Sequence, residues 1–208
     1  MDETENKPAK TRKNVRAKAN AIKPFRCKNL IVVLENPRNL KNIGTTIRNI
    51  DALGAEKTYI VDSHNLLKDD WEEMRKTKSL LKLSASAIKW SFVKRFESTQ
   101  SCLAHLHKKG FVNAVTSPHI KGRTNVVLHE GDYTHAKLAV WFGTEGRGIS
   151  DLAVEQSEMC INIPMYGMIE SLNLGTTTGI VLYEITKQRR AYQEKYKRAG
   201  KKRPIEQS

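Results

Sequence analysis

Three short stretches combine turn-forming residues with polar side chains suited to chemistry. In the first, NIGTTIR, Asn42 and Arg48 stand six residues apart. Six residues turn a helix through about 600°, so the two do not share a face. A guanidinium at this point can grip a phosphate with two parallel hydrogen bonds. The plainer reading makes Asn42 a helix cap and Arg48 a surface charge. The second stretch, FGTEGRGIS, sets Glu145 among Gly143, Gly146 and Gly148. Its order is G-x-x-G-x-G and it comes late in the chain, so it is not the G-x-G-x-x-G fingerprint of a nicotinamide enzyme. Glycines still let the backbone come close to a ligand. The third stretch, INIPMYGMIESLNLG, Ile161 to Gly175, holds one charge, Glu170, beside Pro164, Gly167 and the triplet Ser171-Leu172-Asn173.

Something must hold these stretches together. NLIVVLEN, Asn29 to Asn36, is a β-branched run closed by Asn36-Pro37, the pattern of a buried strand entering a loop. Leu40, Ile43, Ile47 and Ile50 then recur at intervals of three and four before Gly54, which predicts a helix and its stop. KTYIV (Lys57 to Val61), FVNAV (Phe111 to Val115), LAVWF (Leu138 to Phe142) and CINIP (Cys160 to Pro164) read as further strands. A helix is expected within Ser98 to Lys109 and a last one from Leu172 to about Arg190, while Leu66 to Phe96 carries no clear period. Strands alternating with helices imply an α/β fold, a parallel sheet with helices on both faces. In such sheets ligands sit beyond the carboxyl ends of the strands, where all three stretches fall.

The net charge is +14, and it is concentrated at the two ends. Residues 1–28 carry nine Lys or Arg against three acids, residues 187–208 nine against two, and the body between is almost neutral. Basic arms of this kind suit a polyanion such as RNA, because Lys and Arg near phosphates release condensed counterions. Residues 1–28 have few large apolar side chains and are expected to be a flexible arm, 29–190 the folded domain and 191–208 a basic tail. No apolar run approaches the roughly 18 residues of a membrane span, and the N-terminus lacks the apolar core of a secretory signal. Asp2, Glu3, Glu5 and the lack of Ser also argue against a mitochondrial leader, so a cytoplasmic protein with no membrane partner is expected. Cys27, Cys102 and Cys160 are scattered and form no C-x-x-C pair, and His105 and His107 point to different helix faces; no metal is expected.

In this order, N-x-x-x-x-x-R with Gly54 following, F-G-T-E-G-R-G-I, and I-P-M-x-G-x-x-x-S-L-N before a helix resemble the three motifs of the SpoU/TrmH family, SPOUT-class RNA 2′-O-ribose methyltransferases. The likeness runs from about Leu30 to Arg190. It implies a C-terminal deep trefoil knot, a homodimer whose site is built from both subunits, and S-adenosylmethionine held largely by main-chain groups. Carried over by position, Thr116, Gly143, Ile163, Met165 and Leu172 would line the cofactor pocket. Asn42, Arg48, Glu145, Ser171 and Asn173 match the family's functional polar positions, with Arg48 at the ribose 2′-hydroxyl. Arginine stays protonated, so orienting the hydroxyl or a phosphate and stabilising a developing alkoxide suits it better than abstracting a proton. IPMYGMIESLN and LYEITKQRR are closest to the branch that modifies guanosine in tRNA; ribosomal RNA is the near competitor, and a non-catalytic RNA-binding protein of the same fold is the alternative from another class. The chain departs from the pattern in LGTTTGI, Leu174 to Ile180, where relatives tend to carry small apolar residues and where Gly and β-branched Thr are expected to loosen the start of the last helix, and in Gly44 to Thr46, which is more polar than usual.

Overall fold

The computed structural model describes residues 9–198 apart from 66, 68–70 and 123. In chain order the elements are α1 (Ala9–Ile22), β1 (Cys27–Glu35), α2 (Leu40–Leu53), β2 (Ala55–Val61), α3 (Trp71–Lys76), α4 (Lys78–Leu83), β3 (Phe92–Phe96), α5 (Thr99–Lys108), β4 (Val112–Thr116), β5 (Asn125–Val127), β6 (Leu138–Phe142), α6 (Asp151–Glu155), β7 (Met159–Asn162) and α7 (Leu174–Arg198). The strands form one sheet in the order β3-β2-β1-β6-β4-β7-β5, and every pairing is parallel.

Strand alternation sorts the core into two layers. From β1, Leu30, Val32 and Leu34 pack with Ile43, Ile47 and Ile50 of α2, Leu80 of α4 and Val181, Leu182 and Ile185 of α7. Ile31 and Val33 face the other way, onto Cys102, Leu103 and Leu106 of α5 and Ala153 and Val154 of α6. The expected parallel sheet covered on both faces is therefore present. Each isoleucine that α2 buries contributes about 1.5–3 kcal/mol, so its i, i+4, i+7 pattern is enough to fix the helix on the sheet.

α2 begins at an Asn, but not the expected one. Asn39 is the cap, its side chain accepting from the Lys41 N–H at 2.8 Å. Asn42 lies inside the helix and is buried, which frees its amide for another purpose. At the far end Gly54 adopts φ +79°, a left-handed conformation that glycine tolerates without strain.

The basic ends also differ from expectation. Residues 9–22, expected to be a flexible arm, form helix α1, whose described side chains are exposed; residues 1–8 lie outside the described residues. The final helix runs past Arg190 to Arg198, so the tail expected from residue 191 begins as helix, and 199–208 lie outside the described residues. Arg189, counted among the tail cations, is buried: it donates to the carbonyls of Tyr133 at 3.1 Å, His135 at 2.5 Å and Lys28 at 3.1 Å. That guanidinium ties α7 to the body and is not available to phosphates. Two strands escaped the sequence reading, β3 and β5, and β1 starts at Cys27 rather than Asn29.

Candidate active site

The second motif stretch is a chain reversal. Gly143 follows the last residue of β6, and the Thr144 and Gly148 backbones exchange hydrogen bonds of 3.0 and 2.9 Å. Gly146 and Gly148 have φ of +86° and +70°, and a Cβ on Gly143 would stand 2.1 Å from the Gly148 carbonyl carbon. Only glycine at 143 permits this closure, which lifts Glu145 to the exposed tip.

Glu35 braces the reversal from beneath. Its carboxylate, buried at the end of β1, accepts from the Ser150 N–H at 2.8 Å, the Ser150 hydroxyl at 2.6 Å and the Thr99 hydroxyl. The Ser150 oxygen in turn accepts from the Ala153 N–H and so starts α6. This acid was not singled out in the sequence; the available signal is a carboxylate ending an otherwise apolar strand just before Asn36-Pro37.

The three motif stretches meet through side-chain amides. Asn42 donates from Nδ2 to Glu145 Oε1, and Asn173 Nδ2 donates to Asn42 Oδ1 at 3.1 Å and to Glu145 Oε1 at 3.3 Å. The Asn173 carbonyl oxygen has a second task, accepting from the Gly175 N–H at 2.8 Å to cap α7. One asparagine thereby couples the start of a 25-residue helix to the carboxylate.

Beside this junction lies a cavity of about 440 Å³ beyond the carboxyl ends of β4, β6 and β7. Thr116, Gly143, Ile163, Met165 and Leu172 all line it, as do Glu145, Ser171 and Asn173. Thr116 is oriented by donating its hydroxyl to the Trp141 carbonyl at 2.9 Å. Asn162 steadies the facing rim by donating to the carbonyls of Ser117 at 3.2 Å and Pro118 at 2.8 Å. Asn42 reaches the cavity only through Glu145 and Asn173, and Arg48 does not reach it: it is exposed on α2, on a different face from Asn42. Sequence reasoning also passed over His119, Lys121 and Thr177 in the lining, which belong to none of the motif patterns.

The helices that carry the motifs are held by the Gly and Thr residues that depart from the pattern. Asn49 donates to the Gly175 carbonyl at 2.7 Å and to the Thr178 hydroxyl at 3.1 Å, and Thr178 donates to the Gly175 carbonyl at 2.8 Å. Thr46 and Thr178, both fully buried, approach to 3.4 Å. The run does not loosen the start of α7; it pairs α7 with α2.

Other chemistries find little support. All three cysteines are buried and free, and burial pushes the Cys102 and Cys160 thiols up, away from the nucleophilic thiolate. Among the described residues no group of three His, Cys, Asp or Glu could hold a metal, and no helix is long and apolar enough to cross a membrane.

The fold and the pocket together define an α/β protein whose pocket, partly lined by glycine, lies beyond the carboxyl ends of a parallel sheet, where such sheets bind ligands. Residues 29–183 match the SpoU rRNA Methylase family, and the chain belongs to that family. It is 32% identical over 164 residues to a tRNA (guanosine(18)-2′-O)-methyltransferase of Aquifex aeolicus, covering 79% of this chain and 72% of that one. It is 26% identical to the 23S rRNA (guanosine-2′-O-)-methyltransferase RlmB of Shewanella oneidensis, over 77% of this chain and 60% of that one. Among solved structures, the A. aeolicus TrmH/SpoU tRNA modifying enzyme superposes with a TM-score of 0.70 at 27% identity, covering 86% of each chain.

Proposed function

We propose that this chain methylates a ribose 2′-hydroxyl of RNA using S-adenosylmethionine, with a guanosine in tRNA as the preferred substrate. The observation that carries the reading is the junction of Asn42, Glu145 and Asn173 at the rim of the cavity. The relatives' names supply the substrate class, and RlmB keeps ribosomal RNA as the competing one.

The residues present fit the cofactor. Drug-sized ligands occupy pockets of about 300–1,000 Å³ with apolar walls and few polar groups, and Ile163, Met165 and Leu172 give such walls beside backbone from Gly143 to Gly148. When bound, S-adenosylmethionine supplies a methyl group already activated by its sulfonium. Methyl transfer therefore asks the protein mainly for in-line placement. Glu145, fixed by two amides, is placed at the rim to orient the incoming nucleotide, and Ser171 offers a hydroxyl on the same side. Arg48 orients the 2′-hydroxyl or a neighbouring phosphate and stabilises the alkoxide as it develops. Its distance from its own chain's cavity favours a homodimer in which it serves the partner's site. We further infer that residues 163–173 pass through the loop around 143–150 as a trefoil knot, which would explain why these two segments share a wall.

Two measurements test this. Arg48→Ala should abolish methyl transfer and leave the calorimetric affinity for S-adenosylmethionine nearly unchanged; equal loss of both would remove Arg48 from the ribose. Mixing Arg48→Ala with Gly143→Val should restore about a quarter of wild-type activity, since one site of each mixed dimer is intact if the site is shared. No recovery would place Arg48 and the pocket in the same chain.

A further inference from the structure

At the end of the sheet opposite the cavity the surface is cationic. Between Glu97 and Glu130 the chain has no acidic residue, and this interval contains α5. Lys108 and Lys109 at the end of α5 are exposed, and Lys137 donates to the Lys109 carbonyl at 2.6 Å. Lys94 on β3 lies 3.5 Å from His105 Nδ1 of α5, and Lys57, which pairs in register with Phe92, sits 5.7 Å from the centre of the Phe92 ring. Burial, then the charges of Lys94, Lys109, Lys108 and Lys57, push His105 below its ordinary value, so all four lysines act on one place. Phe92 is 54% exposed at the sheet edge.

Edge strands often carry lysine to block pairing with other sheets. That accounts for Lys94 but not for Lys108 and Lys109 on a helix, nor for a large exposed aromatic among them. A cluster of point charges around a half-exposed ring is what a phosphodiester chain with a splayed base requires: lysines for the backbone, an aromatic face for stacking.

We propose that Phe92, Lys94, Lys108 and Lys109 form a second RNA contact, remote from the cavity, with phosphates on the lysines and one unpaired base on the Phe92 ring. It rests on the reading of the chain as an RNA methyltransferase. Because the surface lies at the opposite end of the sheet from the cavity, it would hold a part of the RNA away from the methylated nucleotide and select for a substrate large enough to touch both.

The test is fluorescence anisotropy of the full chain with a labelled, unmodified tRNA transcript at several salt concentrations. The triple variant Lys94→Gln/Lys108→Gln/Lys109→Gln should bind about tenfold or more weakly at low salt, with a salt slope lower by about 2–3, near 0.9 per phosphate contact. Phe92→Ala should weaken binding about tenfold with an unchanged slope, as loss of one stacked base predicts. Both should keep wild-type melting curves and wild-type affinity for S-adenosylmethionine. Variants that bind tRNA like the wild type, while the wild type methylates it, overturn the surface alone; so does an effect of the substitutions on anionic vesicles but not on RNA. A wild type that takes up no methyl donor and methylates no RNA overturns the functional reading itself.

Discussion

Asn173 carries more of the site than any other single side chain, because its two ends do different work. The carbonyl oxygen caps α7 and the amide nitrogen holds Asn42 and Glu145. The two roles separate by substitution. Asn173→Ala should lower stability by about 1 kcal/mol, the worth of a cap, and the melting temperature by about 2–4 °C. Asn173→Ser keeps an oxygen for the cap and should melt near the wild type, yet both variants should lose about tenfold or more in methyl transfer, since a hydrogen bond to a charged group contributes about 1.5–3 kcal/mol. A Ser variant of full activity would remove the amide from the account. At this scale the sequence was only partly legible. Asn39 and Asn42 both stand where a cap is plausible, and spacing could not say that Asn39 takes it and leaves Asn42 buried against Glu145. The cavity-lining positions were reached through the family likeness and not through composition.

Among the elements, α2 and α7 matter most, since their contact brings the first motif to the third. A Cβ on Gly175 would lie 2.7 Å from Thr45 Cγ2, so the helices approach as closely as glycine permits. Alanine would raise helix propensity by about 1 kcal/mol, but overpacking at a close contact costs about 1–3 kcal/mol. Gly175→Ala should therefore be net destabilising in a thermal melt, and adding Thr45→Ser, which removes Cγ2, should recover much of the loss. A single variant as stable as the wild type would mean that the interface yields freely. Elements with a long period were legible: α2 and its isoleucines, and β6, whose five buried residues match the reading LAVWF. β3 was not, because FVKRF sets two adjacent cations between apolar residues and so lacks a period of two, and it lies at the sheet edge; β5, three residues long, has too few positions to show any period.

Across the whole molecule, the charge pattern pointed to a polyanion partner but misjudged how the charges are deployed. The sequence of helix α1 holds Lys10, Arg12, Lys13, Arg16 and Lys18 and no acid, whereas Arg189 is spent on three backbone carbonyls. Composition cannot separate a cation that meets phosphate from one that meets backbone. Removing residues 1–22 should weaken tRNA binding and flatten its salt dependence by about 0.9 for each phosphate released, with no change in methyl-donor affinity; an unchanged slope would leave α1 without a role in RNA binding. The central claim is tested most directly by incubating the full chain with a tRNA transcript and S-adenosylmethionine carrying a deuterated methyl group, then identifying the labelled nucleoside by mass spectrometry. A 2′-O-methylated ribose, on guanosine, is the predicted product; label on a base, or in no nucleoside of either tRNA or ribosomal RNA, would contradict it.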